Sequence, residues 1–284
     1  MSSSATANGK ATGSFGGRWT YAVVGLALLF VVMPFLFWNA TWFGRPLSDS
    51  QITKAFADNS HPREIQHALT QIEGRIEVGD PSVKRWYPQL VALSAHPVDE
   101  IRLTDAWVMG QDNTSEDFHQ ALRKLAADPQ VMVERNAALS LVRFGDASGH
   151  EAILAMLRPY DLPSPSAGKL ETRLKPGDVI NSGTLVAHIV EGAQRREVRA
   201  LVPGTLESWR AANGSTVSVG EVLATLAPNE SAVWEALRAL YLIGRTGDLP
   251  DVERFARGAD GMSPKIAQQA QLTARAIQSR LPAS

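Results

Sequence analysis

Three phrases along the chain restate one pattern. HPREIQHALTQI begins at His61, HPVDEIRLTDAWVMG at His96 and DPQVMVERNAALSLVRFGD at Asp128, so the intervals are 35 and 32 residues (61 to 96, 96 to 128). Each opens on a polar residue followed by proline, which suits a first helical turn because the backbone N–H there has no intrahelical partner. Apolar residues then recur at helical spacing: Ile101, Thr104 and Val108 in one copy, Val133, Ala137, Leu141 and Phe144 in another. A second helical pattern follows each opening: VKRWYPQLVALSA, EDFHQALRKLAA and GHEAILAMLRP. A helix pair this short cannot bury its own apolar face. Copies of it must stack, which predicts an α-solenoid over 48–160 with an elongated surface suited to holding another protein. The pattern returns over 229–284. There Val233, Leu237, Leu240 and Tyr241 share a stripe and Gly247-Asp248 forms a turn. A last polar-faced helix follows, with Ser263 as its cap and Pro264 at its first position.

Between these helical stretches the texture changes. LPSPSAG reads as a connector. GKLETRLKPGDVINSGTLVAHI from Gly168 and GTLESWRAANGSTVSVGEVLATL from Gly204 then match each other. In each, a strand runs into Pro-Gly-Asp or Asn-Gly-Ser, then a glycine turn, then a last β-rich run. The match predicts a small all-β module over 163–228, with two halves related by a pseudo-twofold, inserted between the third and fourth helical units. Two independent helical domains joined through the module is the other arrangement this pattern allows.

The helical units resemble HEAT repeats of the short bacterial kind. The third is the clearest. In the first, residues 75–80 lengthen the turn, and in the second Gln111-Asp112-Asn113 stands in place of Gly-Asp. The β stretch resembles the biotinyl/lipoyl-like barrel-sandwich hybrid at Lys175-Pro176-Gly177-Asp178, Gly183, Pro203-Gly204, Gly214 and Gly220. In carrier members of that family a modified lysine sits on the hairpin joining the halves. Here that hairpin is HIVEGAQRREVRA, residues 188–200, and the position falls near Ala193 or Gln194. Arg195 and Arg196 cannot substitute, because a guanidinium stays protonated. The module's only lysines, Lys169 and Lys175, lie elsewhere. The resemblance therefore implies a module without a prosthetic arm, similar to the lipoyl module of periplasmic adaptor (membrane fusion) proteins. The long helical hairpin and the β-barrel domain of those adaptors have no counterpart here.

The N-terminal stretch RWTYAVVGLALLFVVMPFLFWNATWFGR carries no charge between Arg18 and Arg45. A helix of roughly 20 apolar residues crosses the bilayer core. Trp19 and Tyr21 at one end, and Trp38 and Trp42 at the other, are placed for its two interfaces. The expectation is a transmembrane helix over 19–43 behind a disordered cytoplasmic tail, 1–18, that carries Lys10 and Arg18. The chain would then be a single-pass protein of a bacterial inner membrane with its remainder in the periplasm.

Little in the sequence points to chemistry. Lysine plus arginine (28) nearly cancels aspartate plus glutamate (29), so no basic field speaks for nucleic acid. The absence of cysteine removes disulfides, cysteine-ligated metals and thiol catalysis. No H-E-x-x-H, G-x-S-x-G, Walker loop or dinucleotide fingerprint occurs. His61 and His96 precede prolines at helix starts. His67, His119 and His150 read as surface or groove residues, and His188 precedes the hairpin. Asp99-Glu100 and Glu116-Asp117 begin helices, where negative charge complements the dipole. Arg195 and Arg196 are candidates for contact with an anionic partner. Trp86, Trp107 and Trp234 are assigned to the core, and an exposed one among them would mark an interface. The expected fold is therefore multidomain α + β: a transmembrane helix, a HEAT-like solenoid and an inserted barrel-sandwich hybrid. The expected function is a non-enzymatic, membrane-anchored scaffold or adaptor. It has no cofactor or metal, its protein partners are in or at the membrane, and the resemblance sets it in an envelope transport or secretion complex. The alternative is a degenerate biotinyl or lipoyl carrier, or a hydrolase with an unrecognised site.

Overall fold

The structure is a computed structural model that describes residues 16–40, 46–259 and 261–280. The chain divides into two compact units, Met1–Gln51 and Ile52–Ser284.

The first unit contains α1 (Gly16–Ala40), with Pro34 inside it. Its described side chains, at 21 and 23–34, are all exposed. This overturns the expected membrane anchor. Among the described residues no helix is long and apolar enough to cross a membrane. The single-pass inner-membrane placement falls with the anchor. Of the four expected interfacial aromatics, Tyr21 is exposed on α1. Trp42 and the side chains of Trp19 and Trp38 lie outside the described residues, as does residues 1–15 of the expected tail. Residues 16–18, assigned to that tail, form the first turn of α1.

The second unit begins within α2 (Asp49–Ala57) and continues as helix pairs. Helices α3 (Pro62–Glu77), α5 (Asp99–Met109) and α7 (Val131–Arg143) stack side by side. They are backed by α4 (Tyr87–Leu93), α6 (Glu116–Leu125) and α8 (His150–Ala155). Pro62 occupies the first turn of α3 as the sequence predicts, but Pro97 and Pro129 sit one residue ahead of the caps Val98 and Gln130. They guide the chain into the helix rather than start it. The Gly145-Asp146 turn ends α7 in a Schellman arrangement. Gly145 has φ +72°, its N–H donates to Val142 O at 3.0 Å, and Asp146 N–H donates to Leu141 O at 3.1 Å.

After eight strands the helices resume with α9 (Glu230–Ile243), α10 (Leu249–Ala256) and α11 (Pro264–Ser279). Helix α9 packs on α7 and α8, and α11 packs on α9 and α10. One apolar core runs through this join, from Val142, Ile153 and Leu157 to Val233, Leu237 and Ile277. The third and fourth helix pairs are therefore neighbours in space although the β segment separates them in sequence.

The strands are β1 (Tyr160–Pro163), β2 (Gly168–Thr172), β3 (Val179–Ile180), β4 (Leu185–Glu191), β5 (Gln194–Arg199), β6 (Gly204–Trp209), β7 (Thr216–Val217) and β8 (Val222–Pro228). They form two antiparallel sheets, ordered β1-β8-β6-β3 and β5-β4-β2-β7. Renaming β1–β4 as β5–β8, and the reverse, turns one sheet into the other. Each half lends its short strand to the opposite half: Ile180 pairs with Gly204, and Gly168 with Val217. The two glycines are required by the same crowding. A Cβ at Gly168 would lie 2.7 Å from Val190 O, and one at Gly204 would lie 2.4 Å from Ala227 O. Leu170, Ile189, Val198, Leu206, Leu223 and Leu226 fill the space between the sheets. Val131 and Met132 at the start of α7, with Tyr160 and Trp209, extend that core onto the helices.

Candidate docking groove

Two sets of hydrogen bonds fix how one helix pair sits on the next. In the first, an aspartate in the turn of each unit accepts from the second helix of the unit before. Tyr87 Oη on α4 donates to Asp112 Oδ2 at 2.6 Å. His119 Nε2 and Arg123 Nε on α6 donate to Asp146 Oδ2 at 2.7 and 2.6 Å. His150 Nε2 at the start of α8 donates to Asp248 Oδ2 at 2.7 Å, and that oxygen also accepts Arg245 N–H at 2.7 Å. The last link bridges the β insertion, and both of its side chains are buried. Burial pushes the Asp146 carboxyl up, but hydrogen bonds from Arg123, Ser148 and His119 outweigh it and hold the group well below the usual carboxylate range. Burial, and then the bond to Asp112, push the Tyr87 phenol above its ordinary value.

The second set ties neighbouring first helices through short side chains. Asn136 Nδ2 and Ser140 Oγ on α7 donate to Leu103 O and Ala106 O on α5 at 3.2 and 2.9 Å. Thr273 Oγ1 on α11 repeats this onto Leu237 O of α9 at 2.8 Å. The helices approach so closely that a Cβ on Gly110 would fall 2.3 Å from Ser140 Oγ, and one on Gly244 would fall 2.7 Å from Ile277 Cδ1. These bonds and close contacts tie the layer into one platform.

Between α5, α7 and α9 this platform opens into a groove of about 600 Å³, a size that accepts several side chains. Trp107 comes from α5, Leu139 and Arg143 from α7, and Glu235, Arg238 and Leu242 from α9. Trp107 is 43% exposed and Leu242 60% exposed. The indole Nε1–H of Trp107 donates to Glu73 Oε1 on α3 at 2.6 Å, which fixes one edge of the ring. Arg238 approaches Glu235 only to 3.7 Å, and the guanidinium of Arg143 makes no ion pair among the described residues. A smaller recess of about 300 Å³ lies beside Asp80, Lys84, Tyr87 and Asp112. Its acceptors are already engaged by Ser82, Tyr87 and Thr114.

The residues singled out by sequence are dispersed. Arg195 and Arg196 lie exposed on β5, beside a two-residue hairpin turn at Gly192-Ala193. Arg195 Nη2 donates to Glu171 Oε2 at 2.7 Å across the sheet. Both arginines belong to the β segment, whereas the groove residues belong to α5, α7 and α9. His67 and His150, read as surface or groove residues, are buried, and His119 is largely covered against Asp146. Burial lowers the His67 pKa. His96 is buried too, and its Nδ1 accepts Val98 N–H at 3.1 Å ahead of α5. Trp86 is buried as expected, whereas Trp107 leaves the core for the groove. Sequence reasoning missed the groove because Trp107, Leu139, Arg143 and Leu242 come from three helices. The available signal was an unusual third face: Trp107 lies off the stripe defined by Ile101, Ala106 and Val108 that faces inward. Among the described residues no group of three or more His, Asp or Glu side chains is placed to hold a metal ion.

Compared with protein-family models and with curated proteins, the chain matches none.

Proposed function

We propose that this protein is a non-enzymatic scaffold that holds a protein partner in the groove between α5, α7 and α9. In this reading the helix pairs are HEAT-like units, and the β segment is a barrel-sandwich hybrid of the biotinyl/lipoyl type without a prosthetic arm. The observation that carries the proposal is the exposure of Trp107 and Leu242 on a helical layer tied by side-chain hydrogen bonds. Large apolar side chains of this kind, tryptophan above all, dominate the energetics of protein interfaces. The hydrogen bonds that tie the layer support the same reading, since a preorganised surface loses less freedom on binding. The hairpin turn at Gly192-Ala193 offers no side-chain amine, which favours docking over group carriage.

Site-specific photo-crosslinking tests it. A photoreactive residue at Leu242 should give a discrete adduct with one partner in native extracts. The same probe at Glu151, exposed at the start of α8, should not. Equal labelling at both positions, or a mass increase on residues 188–200 of the isolated chain, would exclude the scaffold reading.

A further inference from the structure

The walls of the groove set what chemistry an occupant must carry. We infer that it binds a peptide segment with a large apolar side chain closely followed or preceded by a carboxylate. This inference rests on the docking reading above and goes one step beyond it. The apolar requirement comes from Trp107, Leu139 and Leu242, which face one recess from three helices. The acidic requirement comes from Arg143 and Arg238 on the same walls. Arg143 has no counter-ion among the described residues. Arg238 has only Glu235 at 3.7 Å, with both side chains about half exposed, a contact that holds little. Both guanidinium groups are therefore open to a carboxylate, which they can grip in bidentate geometry. Glu73 does not oppose this, because its carboxylate accepts the Trp107 indole N–H and lies on α3, away from the α7–α9 wall. Nucleic acid is disfavoured. Two arginines beside one glutamate make no basic track, and the chain as a whole carries a formal charge of −1.

Display of a random peptide library on the purified full chain tests the inference. Enriched sequences should pair Leu, Ile, Phe or Trp with Asp or Glu within a few positions. Their affinity should fall more than about tenfold in Arg143→Glu, as expected when one well-placed charge-assisted contact is reversed. It should fall less in Arg143→Gln, and it should weaken with added salt. Trp107→Ala and Leu242→Ala should each weaken every enriched peptide. Peptides that need Trp107 but are neutral or basic, and that ignore Arg143→Glu, would overturn the carboxylate requirement while leaving the docking reading intact. Peptides indifferent to both Trp107→Ala and Leu242→Ala, or no enrichment at all, would overturn the docking reading itself.

Discussion

Removing the Asp248 carboxylate should uncouple the helices on the two sides of the β insertion. In Asp248→Ala the buried His150 Nε2–H loses its acceptor at 2.7 Å, and the Arg245 N–H loses its own at 2.7 Å. A buried donor left without a partner costs about 1–3 kcal/mol. With two donors orphaned at once, a loss of about 2–6 kcal/mol is expected. Asp251→Ala is the control: its bond to the half-exposed Arg158 at 2.6 Å should be worth no more than about 1 kcal/mol. Urea unfolding of each variant, followed by far-ultraviolet circular dichroism, measures both values. Hydrogen exchange should show protection lost first in α9 and α11. The His150→Gln, Asp248→Asn double-mutant cycle isolates the pair itself. If Asp248→Ala costs less than about 1 kcal/mol, or if the cycle shows no coupling, the aspartate does not hold the stack together.

Gly110→Ala should destabilise the fold by about 1–3 kcal/mol through overpacking, because the new Cβ meets Ser140 Oγ at 2.3 Å. Adding Ser140→Gly should recover part of the loss, measured by thermal unfolding. Asp105 is buried in α5, neither carboxyl oxygen has a hydrogen-bond partner among the described residues, and burial raises its pKa well above the ordinary value. A raised carboxyl is tolerated below its unfolded pKa of about 4, and its penalty grows as pH rises toward the folded value. Asp105→Asn should therefore be the more stable protein at neutral pH, with an advantage that shrinks toward pH 4 in a series of melting curves. Asp112, Asp128 and Asp146 behave in the opposite sense. In each, burial raises the pKa but hydrogen bonds outweigh it and the net shift is downward. The stability they supply is complete above about pH 4 and is lost as the pH falls toward their folded values. Neutralising Asp146 as Asp146→Asn should flatten the acid limb of the stability curve.

Periodic features were legible in the sequence, and features built between elements were not. Val133, Ala137 and Leu141 announce α7 because a helix repeats its inward face every three or four residues, and all three are buried. The matching phrases at Gly168 and Gly204 mark the symmetric strands for a similar reason. The same close approach to a neighbouring carbonyl forbids a side chain at both glycines. The histidines were misjudged because a polar residue on a helix is placed by its partner, not by its own preference. His150 is drawn inward by Asp248, which lies 98 residues away in the chain. The anchor was expected from a charge-free run flanked by aromatic residues, and among the described residues no helix is long and apolar enough to cross a membrane. The groove had only one local hint, Trp107 off the inward stripe of α5, since Trp107 and Leu242 meet only after α9 has returned to α7 across the insertion.

That return is made possible by the way the β segment begins and ends. Tyr160 in the first strand is the direct cross-strand partner of Leu226 in the last, so the chain leaves the helices and re-enters them at one place. Antiparallel partners lie about 4.5–5.5 Å apart at Cα, a gap that a connection of two to six residues spans readily. Replacing residues 161–225 with a short Gly-Ser linker should therefore leave α7, α8 and α9 packed as they are. The His150–Asp248 bond and the groove should survive with them. The excision exposes Val131 and Met132, which pack against the β core, and it leaves Tyr160 with Leu226 but without the rest of the sheet. Full burial of two such side chains is worth about 1.5–3 kcal/mol each, so a partly buried pair should lower stability by about 2–4 kcal/mol without unfolding the stack. A linker variant whose helical circular dichroism collapses, or in which Asp248→Ala no longer has any effect on stability, would show that the β segment is a structural member of the solenoid. In that case the helix pairs would not form a continuous stack on their own.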